Sequence, residues 1–387
     1  MRIGIFSECY HPVLNGVVVS IDTFKSELEK RGHEFFIFTT KCPGYEETSR
    51  KVKRFSCMLP FKPSGGKYPI SWPRIAWFEA RNIKDFNLDI IHSQHLLNLG
   101  HLGLKIGEIL KIPTVLTYHT LLAEYSHYTP VIGGLTRRYL LYQSRVISNR
   151  YDQVVTPSPS MKRVLRDYGV TAPIEAIATG VNLADFQNPF HREVLCAKWR
   201  IPENQKILLY VSRIAKEKNL DFLFDAVRLL DRKRSDFHLL MVGGGPELEY
   251  YKKMVAFWNL QSRVTFTGMQ EKIQANRFFG AADIFVFPSI TETQGIVITE
   301  AMAAGIPAVA IDKMGPSDII EDGKDGFLTP LKIVDFTDKI EKLLDDDNLR
   351  QQMGKKARES SKKYSVEICA DQMEELYEKT IANHHRS

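Results

Sequence analysis

Short apolar runs alternate along the whole chain with longer amphipathic segments, a pattern typical of parallel strands joined by helices. The strands predicted in the first half are MRIGIF, EFFIFTT, LDIIHSQ, TVLTYHT and QVVTPS. The pattern restarts in the second half with KILLYVSR, FHLLMVGGG, RVTFTG, DIFVFPS and PAVAI. Because a helical or turn-rich segment follows each run, the sequence predicts an α/β fold of two successive doubly wound units.

The boundary between the units is predicted in the stretch GVNLADFQNPFHREVLCAKWRIPENQK, where glycine and proline interrupt the periodicity. The chain of 387 residues is also longer than one hydrophobic core usually organises. We therefore predict a first domain over 1–185 and a second over 186–365. The last segment, 366–387, is predicted to be a helix that packs back on the first domain.

The composition excludes several classes of protein. Hydrophobic residues make up 44% and charged residues 25%, as in ordinary globular chains. The amino-terminal stretch does not resemble a signal peptide, and no apolar run reaches the ~20 residues of a membrane-spanning helix. The five cysteines are scattered without C-x-x-C pairs, which favours the cytosol and argues against a zinc site.

Charge is unevenly distributed, with +8 on residues 1–180 and −2 on residues 181–387. The first half is therefore expected to face something anionic, either nucleic acid or a phospholipid surface. Two of its segments, 61–81 and 131–150, mix aromatic or apolar residues with lysine and arginine. They are predicted to lie in a lipid headgroup layer, or else to be acceptor-side loops and a core-packed helix with a solvated face.

Ligands of doubly wound sheets bind at the carboxyl ends of the strands. Arg213 and Lys218 follow the strand ILLYV. Two cations at a strand end can bind a diphosphate, or they can be ordinary solvated loop residues. Gly16 follows the first strand and would let amides approach a phosphate, or form a plain turn. Gly244 lies in a glycine run that by itself is a weak signal. His119 ends the strand TVLTY, either as a satisfied core residue or as a partner for a sugar hydroxyl or developing charge.

Two acids bracket the apolar stretch in TETQGIVITE. Gly295 is predicted at a helix start, with Glu292 before the helix and Glu300 inside it, about two turns apart. Amides at such a start favour an anionic or hydroxyl-rich ligand. A carboxylate accepts two hydroxyl hydrogens at once, so these glutamates are candidates for reading a sugar and a ribose.

At these residues the sequence resembles the retaining glycosyltransferases of family four, whose signature has glutamates spaced E-x-x-x-x-x-x-x-E. The match extends along nearly the whole chain. It includes the turn that begins at Asn15, the TYHT of His119, the TGVN at 179–182, the R-x-x-x-x-K pair and the segment DIIEDGKDGFL. The resemblance implies the GT-B architecture, two facing Rossmann-like domains with the active site in the cleft between them.

The resemblance also implies roles by position. Arg213 and Lys218 would bind the diphosphate of a nucleotide-sugar donor, Glu300 its ribose, and Glu292 the sugar to be transferred. Catalysis would rest on Arg213, Lys218, His119 and Glu292. Further substrate contacts are assigned to Asn15, Gly16, Gly244, Gln294, Gly295, Ile296 and Glu300. The family uses no DxD metal site, so no metal and no other cofactor is expected, and the run at 345–347 is interpreted as a solvated helix-to-turn segment.

One departure refines the expected substrate. Many members of the family have phenylalanine where this chain has Gln294, and the E-T-Q-G variant most closely resembles bacterial diacylglycerol glucosyltransferases. This implies transfer of glucose from UDP-glucose to a diacylglycerol-type lipid, by a cytoplasmic enzyme at the inner face of the cell membrane. The alternatives are a soluble or polysaccharide acceptor, another donor such as GDP-mannose or UDP-galactose, or a nucleotide-sugar epimerase. Nucleic acid is not expected as a partner, because no RNA or DNA motif is present and both glutamates would be unexplained.

Overall fold

The chain folds into two compact units, one formed by Met1–Gly180 with Val366–Ser387 and the other by Val181–Ser365. The structure is a computed structural model that describes residues 1–13, 15–42, 44–59, 70–71, 80–96, 98–121 and 133–386. Within these residues, no helix is both long and apolar enough to cross a bilayer.

The first unit is built on a parallel sheet of order β3-β2-β1-β6-β7-β8-β9, beside a small antiparallel pair, β4-β5. The strands are β1 Arg2–Phe6, β2 Glu34–Thr40, β3 Val52–Phe55, β4 Cys57–Leu59, β5 Ile70–Ser71, β6 Ile90–Ser93, β7 Thr114–Thr117, β8 Gln153–Thr156 and β9 Ile174–Ala176. The helices are α1 Gly16–Lys30, α2 Leu99–Leu110, α3 Gly133–Ser148 and α4 Pro159–Asp167, with a 3₁₀ turn at Ala80–Phe86.

The second unit has a parallel sheet of order β12-β11-β10-β13-β14-β15. Its strands are β10 Lys206–Val211, β11 Phe237–Val242, β12 Val264–Gly268, β13 Ile284–Phe287, β14 Ala308–Ile311 and β15 Gly326–Thr329. Its helices are α5 Arg192–Trp199, α6 Leu220–Asp231, α7 Leu248–Phe257, α8 Lys272–Phe279, α9 Ile296–Ala304, α10 Gly315–Ile319, α11 Ile333–Asp345 and α12 Asp347–Ser361. Short 3₁₀ turns lie at Leu183–Phe186, Lys216–Lys218 and Lys362–Tyr364.

Every strand predicted from the apolar runs is present, and the central ones are buried on both faces, as continuous runs of apolar residues require. The sequence prediction missed β3, β4, β5, β9 and β15. These strands are short, and in the two large sheets β3, β9 and β15 lie at the edges. Edge strands need fewer apolar residues because only one neighbour pairs with them, so their pattern is weaker.

The predicted boundary between 185 and 186 differs from the structural one. Residues 181–185 belong to the second unit, because the Val181 amide donates to the carbonyl of Tyr364 at 2.8 Å and the Val181 side chain joins that unit's core. The run at 345–347, predicted as a solvated helix-to-turn segment, instead has defined structural contacts. Asp346 caps α12 by accepting from the amide of Leu349, and its two neighbours form ion pairs.

The last helix, α13 Val366–His384, belongs to the first unit and packs against α1. Arg31, which follows α1, donates to Asp371 at 2.6 Å and to Glu374 at 2.8 Å. On the buried face, Tyr377 reaches His92 of β6, with 2.6 Å between the hydroxyl oxygen and Nδ1. Apolar burial and charged contacts therefore both tie this helix to the sheet.

Removal of one buried side chain from α13 tests how much this packing stabilises the unit. Leu376 is 4% exposed, so Leu376→Ala is expected to lower the free energy of unfolding by ~2–5 kcal/mol. Glu378→Ala, on the exposed face of the same helix, is expected to change it by less than ~0.5 kcal/mol. Denaturant titrations measure both, and equal effects would contradict the packing described.

Candidate active site

The topological switch point of the second sheet is the place where two residues predicted for the active site meet. Strands β10 and β13 are hydrogen-bonded neighbours, with Leu208 opposite Ile284, although β11 and β12 come between them in the chain. The loops that leave their carboxyl ends run in opposite directions, which opens the crevice where doubly wound sheets bind ligands. Lys218 follows β10 and Glu292 follows β13.

Lys218 and Glu292 form an ion pair across this switch point. The Lys218 ammonium donates to Oε1 of Glu292, and the hydroxyl of Ser289 donates to the same oxygen at 3.1 Å. The side chains of Lys218 and Glu292 are only 17% and 18% exposed. Screening is therefore weaker than at an open surface, and each charge fixes the position of the other.

Arg213 lies on the same loop as Lys218 but is paired differently. Its guanidinium donates to Glu217, one residue before Lys218. The Arg213 side chain is 57% exposed, whereas that of Glu217 is 12% exposed. Both cations predicted for a diphosphate therefore lie after β10, and each has a carboxylate partner.

The segment between Glu292 and Glu300 contains the predicted helix start. Gly295 caps α9 with φ +89°, a conformation that residues with a Cβ rarely adopt. Ile296 is the first residue of the helix, and Gln294, immediately before the cap, is 4% exposed. A Cβ at Gly315 would lie 2.1 Å from the carbonyl oxygen of Gln294, so the two backbones can approach only because residue 315 is glycine. The Gly315 amide donates to the carbonyl of Glu292 at 3.0 Å, which ties the loop in place.

Glu300 is buried inside α9, where its side chain is 4% exposed, and its carboxylate accepts from the ammonium of Lys272. Lys272 begins α8 and was not predicted as part of the site. No spacing rule connects positions 272 and 300. The burial of a carboxylate within an apolar helix does predict that a cation lies nearby.

The glycine run after β11 has a role that the sequence did not reveal. A Cβ at Gly243 would lie 2.0 Å from the carbonyl oxygen of Ser212, and one at Gly245 would lie 2.1 Å from that of Ile214. The Ile214 amide donates to the carbonyl of Gly244 at 2.9 Å. The run therefore packs its backbone against the loop that carries Arg213. A Cβ at Gly244, in contrast, would make only ordinary contacts with Met269.

In the first unit, Asn15 and Gly16 lie at the start of α1. The side chain of Asn15 caps the helix by accepting from the Val18 amide at 3.0 Å, and its amide group donates to Sγ of Cys9 at 3.2 Å. Gly16 is the first helical residue, and no atom lies within 4 Å of the position of a Cβ there. The preference for asparagine at helix N-caps would have predicted that Asn15 caps α1.

His119 lies just beyond β7 and is partly exposed. Its Nε2 is 2.7 Å from Oε1 of Gln94, which follows β6. Burial, together with the nearby His95 and His92, lowers the pKa of His119 to about 3. The imidazole is therefore neutral near pH 7, so His119 can offer a ligand a hydrogen bond but not a positive charge.

Two further polar residues lie at the same edge of this sheet and were not predicted. Glu8 follows β1 and His95 follows β6, and the Glu8 amide donates to Nδ1 of His95 at 3.1 Å. Burial raises the pKa of Glu8 to about 7, against hydrogen bonds from Leu99 and Asn98 that lower it. The rule that ligands bind at strand ends would have selected both positions.

Comparison with known proteins identifies the family. The model of Glycosyltransferase Family 4 matches residues 14–185, and that of Glycosyl transferases group 1 matches residues 191–360. The alpha-monoglucosyldiacylglycerol synthase of Streptococcus pneumoniae is 35% identical over 338 residues, which cover 85% of this chain and 75% of that protein. The chain belongs to glycosyltransferase family 4. The resemblance noted in the sequence is thereby confirmed.

Another relative of this glycosyltransferase is named for a different donor. A GDP-mannose-dependent alpha-mannosyltransferase of Corynebacterium glutamicum is 28% identical and covers 99% of this chain and 90% of its own length. Among solved structures, an Anabaena protein, HepE, in complex with UDP and glucose matches with a TM-score of 0.79 and 20% identity, over 98% of this chain and 100% of its own. The fold of two Rossmann-like parallel-sheet domains is thus the GT-B fold.

The close approach at Gly315 gives a test of the loop that carries Glu292 and Gln294. Gly315→Ala is expected to lower the free energy of unfolding by ~1–3 kcal/mol, because the methyl group overlaps a backbone carbonyl. Gly16→Ala, which has open space around its Cβ, is expected to keep or slightly raise the stability of the protein. Thermal and denaturant unfolding of both variants measure this, and equal stabilities would show that the loop is not held by Gly315.

Proposed function

We propose that this glycosyltransferase moves glucose from UDP-glucose to a diacylglycerol-type lipid at a membrane surface. The single observation that carries the donor site is the Lys218–Glu292 pair at the switch point, beside the start of α9. A cation for a phosphate and a carboxylate for sugar hydroxyls lie side by side there. An extended ligand with a diphosphate next to a sugar satisfies both groups at once.

Both cations retain capacity for the donor diphosphate. An ammonium has three N–H donors, and Lys218 uses one of them on Glu292. The guanidinium of Arg213 has five donors and is more than half exposed. The two bonds to Glu292 both use Oε1, which leaves Oε2 to accept from sugar hydroxyls. In this proposal Glu300 binds the ribose, and Gln294, Gly295 and Ile296 line the sugar end.

The chemical step breaks the bond between the anomeric carbon and the phosphate oxygen. The bonding pair stays on that oxygen, and the acceptor hydroxyl forms the new bond to the anomeric carbon while its proton passes to the departing phosphate. We propose that attack occurs on the same face as departure, so that configuration is retained. Arg213 and Lys218, held in place before the reaction, stabilise the negative charge that builds on the diphosphate without requiring a metal.

The first unit also carries residues whose chemistry suits a phosphate and a sugar hydroxyl. Gly16 has no side chain and lies at the start of α1, so the backbone there can approach a phosphate closely. Neutral His119 supplies a hydrogen bond to a sugar hydroxyl. The proposed lipid acceptor is supported by similarity to the Streptococcus pneumoniae synthase. The alternatives are a mannosyl or galactosyl donor and a soluble acceptor, and a panel of substrates distinguishes them.

The direct test is turnover of labelled UDP-glucose, UDP-galactose and GDP-mannose with dioleoylglycerol or a soluble sugar as acceptor. We expect glucosyl transfer to dioleoylglycerol, and loss of ~100-fold or more of kcat in Glu292→Ala. Transfer only to the soluble acceptor would refute the lipid assignment. Unchanged turnover in Glu292→Ala would refute the role of that carboxylate.

The same panel of nucleotide sugars tests whether Lys218, but not the neighbouring Lys216, binds the diphosphate. Lys218→Met is expected to lower kcat by ~100-fold or more with every donor used, and to change the donor KM less, because the charge develops in the transition state. Lys216→Met removes an exposed lysine from the same 3₁₀ turn and is expected to stay within about twofold of the unmodified enzyme.

The membrane surface in this proposal is bound by helix α3 of the first unit. Ile147 and Ser148 face inward, whereas Tyr139, Tyr142 and Val146 are 57%, 61% and 37% exposed and share the opposite face. Arg138 and Arg145 are exposed beside them. Amphipathic rings and cations on one helix face are suited to an anionic headgroup layer, where each cation contributes ~1 kcal/mol.

The other residues predicted to contact the membrane contribute less to this argument. Arg150 donates to both carboxylate oxygens of Glu108, so its charge is already compensated. The segment 61–81 lies outside the described residues, apart from the backbone at 70–71 and 80–81. The proposal therefore rests on the exposed face of α3.

Vesicle cosedimentation tests this surface. The enzyme is expected to bind phosphatidylglycerol vesicles at low salt and to be released as salt rises toward ~0.5 M, because screening weakens the attraction. Replacement of Tyr139 and Tyr142 by serine is expected to weaken binding by ~10-fold or more. Tyr250→Ser, which removes a tyrosine of α7 that is 48% exposed, is the matched control. Absence of binding at low salt would rule out the proposal.

A further inference from the structure

The first sheet has its own topological switch point, and Glu8 and His95 meet there. Strands β1 and β6 are hydrogen-bonded neighbours, with Phe6 opposite Ser93, although β2 to β5 come between them in the chain. Glu8 follows β1 and His95 follows β6, and both residues are partly exposed. The contact between the Glu8 amide and His95 Nδ1 bridges the crevice where a doubly wound sheet binds ligands.

The backbone determines which nitrogen of His95 carries the proton. A backbone N–H can only donate, so Nδ1 of His95 must accept at 3.1 Å and the proton of the neutral ring must be on Nε2. The rest of the loop is tightly packed, because the carbonyl oxygen of His95 lies 1.5 Å from where a Cβ at Gly100 would be. His95 therefore presents one fixed N–H donor.

Glu8 supplies the complementary acceptor. Its Oε1 accepts from the Leu99 amide at 2.9 Å, and its carbonyl oxygen accepts from the hydroxyl of Thr40 at 2.8 Å, so both its side chain and its backbone are anchored. Within the described residues, no lysine, arginine or histidine forms an ion pair with Glu8. The carboxyl group has more acceptor positions than these neighbours use.

We propose that Glu8 and His95 form a binding subsite for the neutral hydroxyl group of the acceptor. His95 Nε2–H donates to the hydroxyl oxygen and the Glu8 carboxyl accepts its hydrogen. The ionised form of Glu8 would repel an anionic ligand. This inference rests on the proposed glycosyl transfer and specifies the acceptor as an uncharged alcohol.

The test compares Glu8→Gln with the unmodified enzyme. Glutamine retains an oxygen for the Leu99 amide but replaces the second acceptor by an N–H donor. With UDP-glucose and dioleoylglycerol, kcat/KM for the acceptor is expected to fall about 10- to 100-fold, while the dissociation constant of UDP stays within about twofold. His95→Gln is expected to act in the same direction. The matched controls, Glu378→Gln and His191→Gln, change exposed residues and are expected to have no effect.

In these kinetic and UDP-binding assays, two outcomes would overturn the subsite. One is an unchanged acceptor kcat/KM in a folded Glu8→Gln enzyme, and the other is a loss of UDP affinity as large as the loss in acceptor kcat/KM. If His95→Gln does not fold, the nearly isosteric Glu8→Gln variant carries the test.

A direct binding measurement separates failure of the subsite from failure of the proposed function. Glycerol is titrated into protein labelled with ¹⁵N-histidine, and the imidazole resonances are followed. The His95 Nε2 resonance is expected to show the protonated form and to shift with glycerol in the unmodified protein, but much less in Glu8→Gln. If no sugar is transferred to dioleoylglycerol, a glycerol-dependent shift still supports the subsite. Absence of any shift overturns it.

Discussion

The adjacency of β10 and β13 is the constraint on which the proposed donor site depends. Parallel pairing brings together two strand ends that lie far apart in the chain, and the ion pair between Lys218 and Glu292 forms across them. Neither charge would be stable alone at this partly buried position, because desolvation of an unpaired ion costs several kcal/mol. The pair satisfies both groups and holds them where an extended anionic ligand can contact them.

The two switch points have different chemistry, as the proposed donor and acceptor sites would require. The edge of the second sheet holds paired charges, Arg213 with Glu217 and Lys218 with Glu292. The edge of the first sheet holds neutral imidazoles, because burial lowers the pKa of His95 to about 4 and that of His119 to about 3. Charged groups suit a diphosphate. Neutral groups that donate and accept hydrogen bonds suit hydroxyl groups.

Much of the fold and part of the site could be predicted from local pattern. Central strands were predicted correctly because residues buried on both faces give continuous apolar runs, whereas short edge strands such as β9 and β15 leave little signal. Gly295 was correctly predicted at a helix start. Lys272 was missed because its relation to Glu300 depends on how α8 packs beside α9. Glu8 and His95 belong to no recognisable motif spacing, so only their positions after strand ends could have indicated them.

The sequence by itself determined the family, the α/β class and the residue types available at the strand ends. It could do so because apolar periodicity and motif spacing are local properties of the chain. Only the tertiary structure decided the partners. It paired Glu292 with Lys218 and Glu300 with Lys272, determined which nitrogen of His95 carries the proton, and packed α13 against α1 in the first unit. These outcomes depend on strand order and helix packing, which bring together residues whose separation in the chain carries no signal.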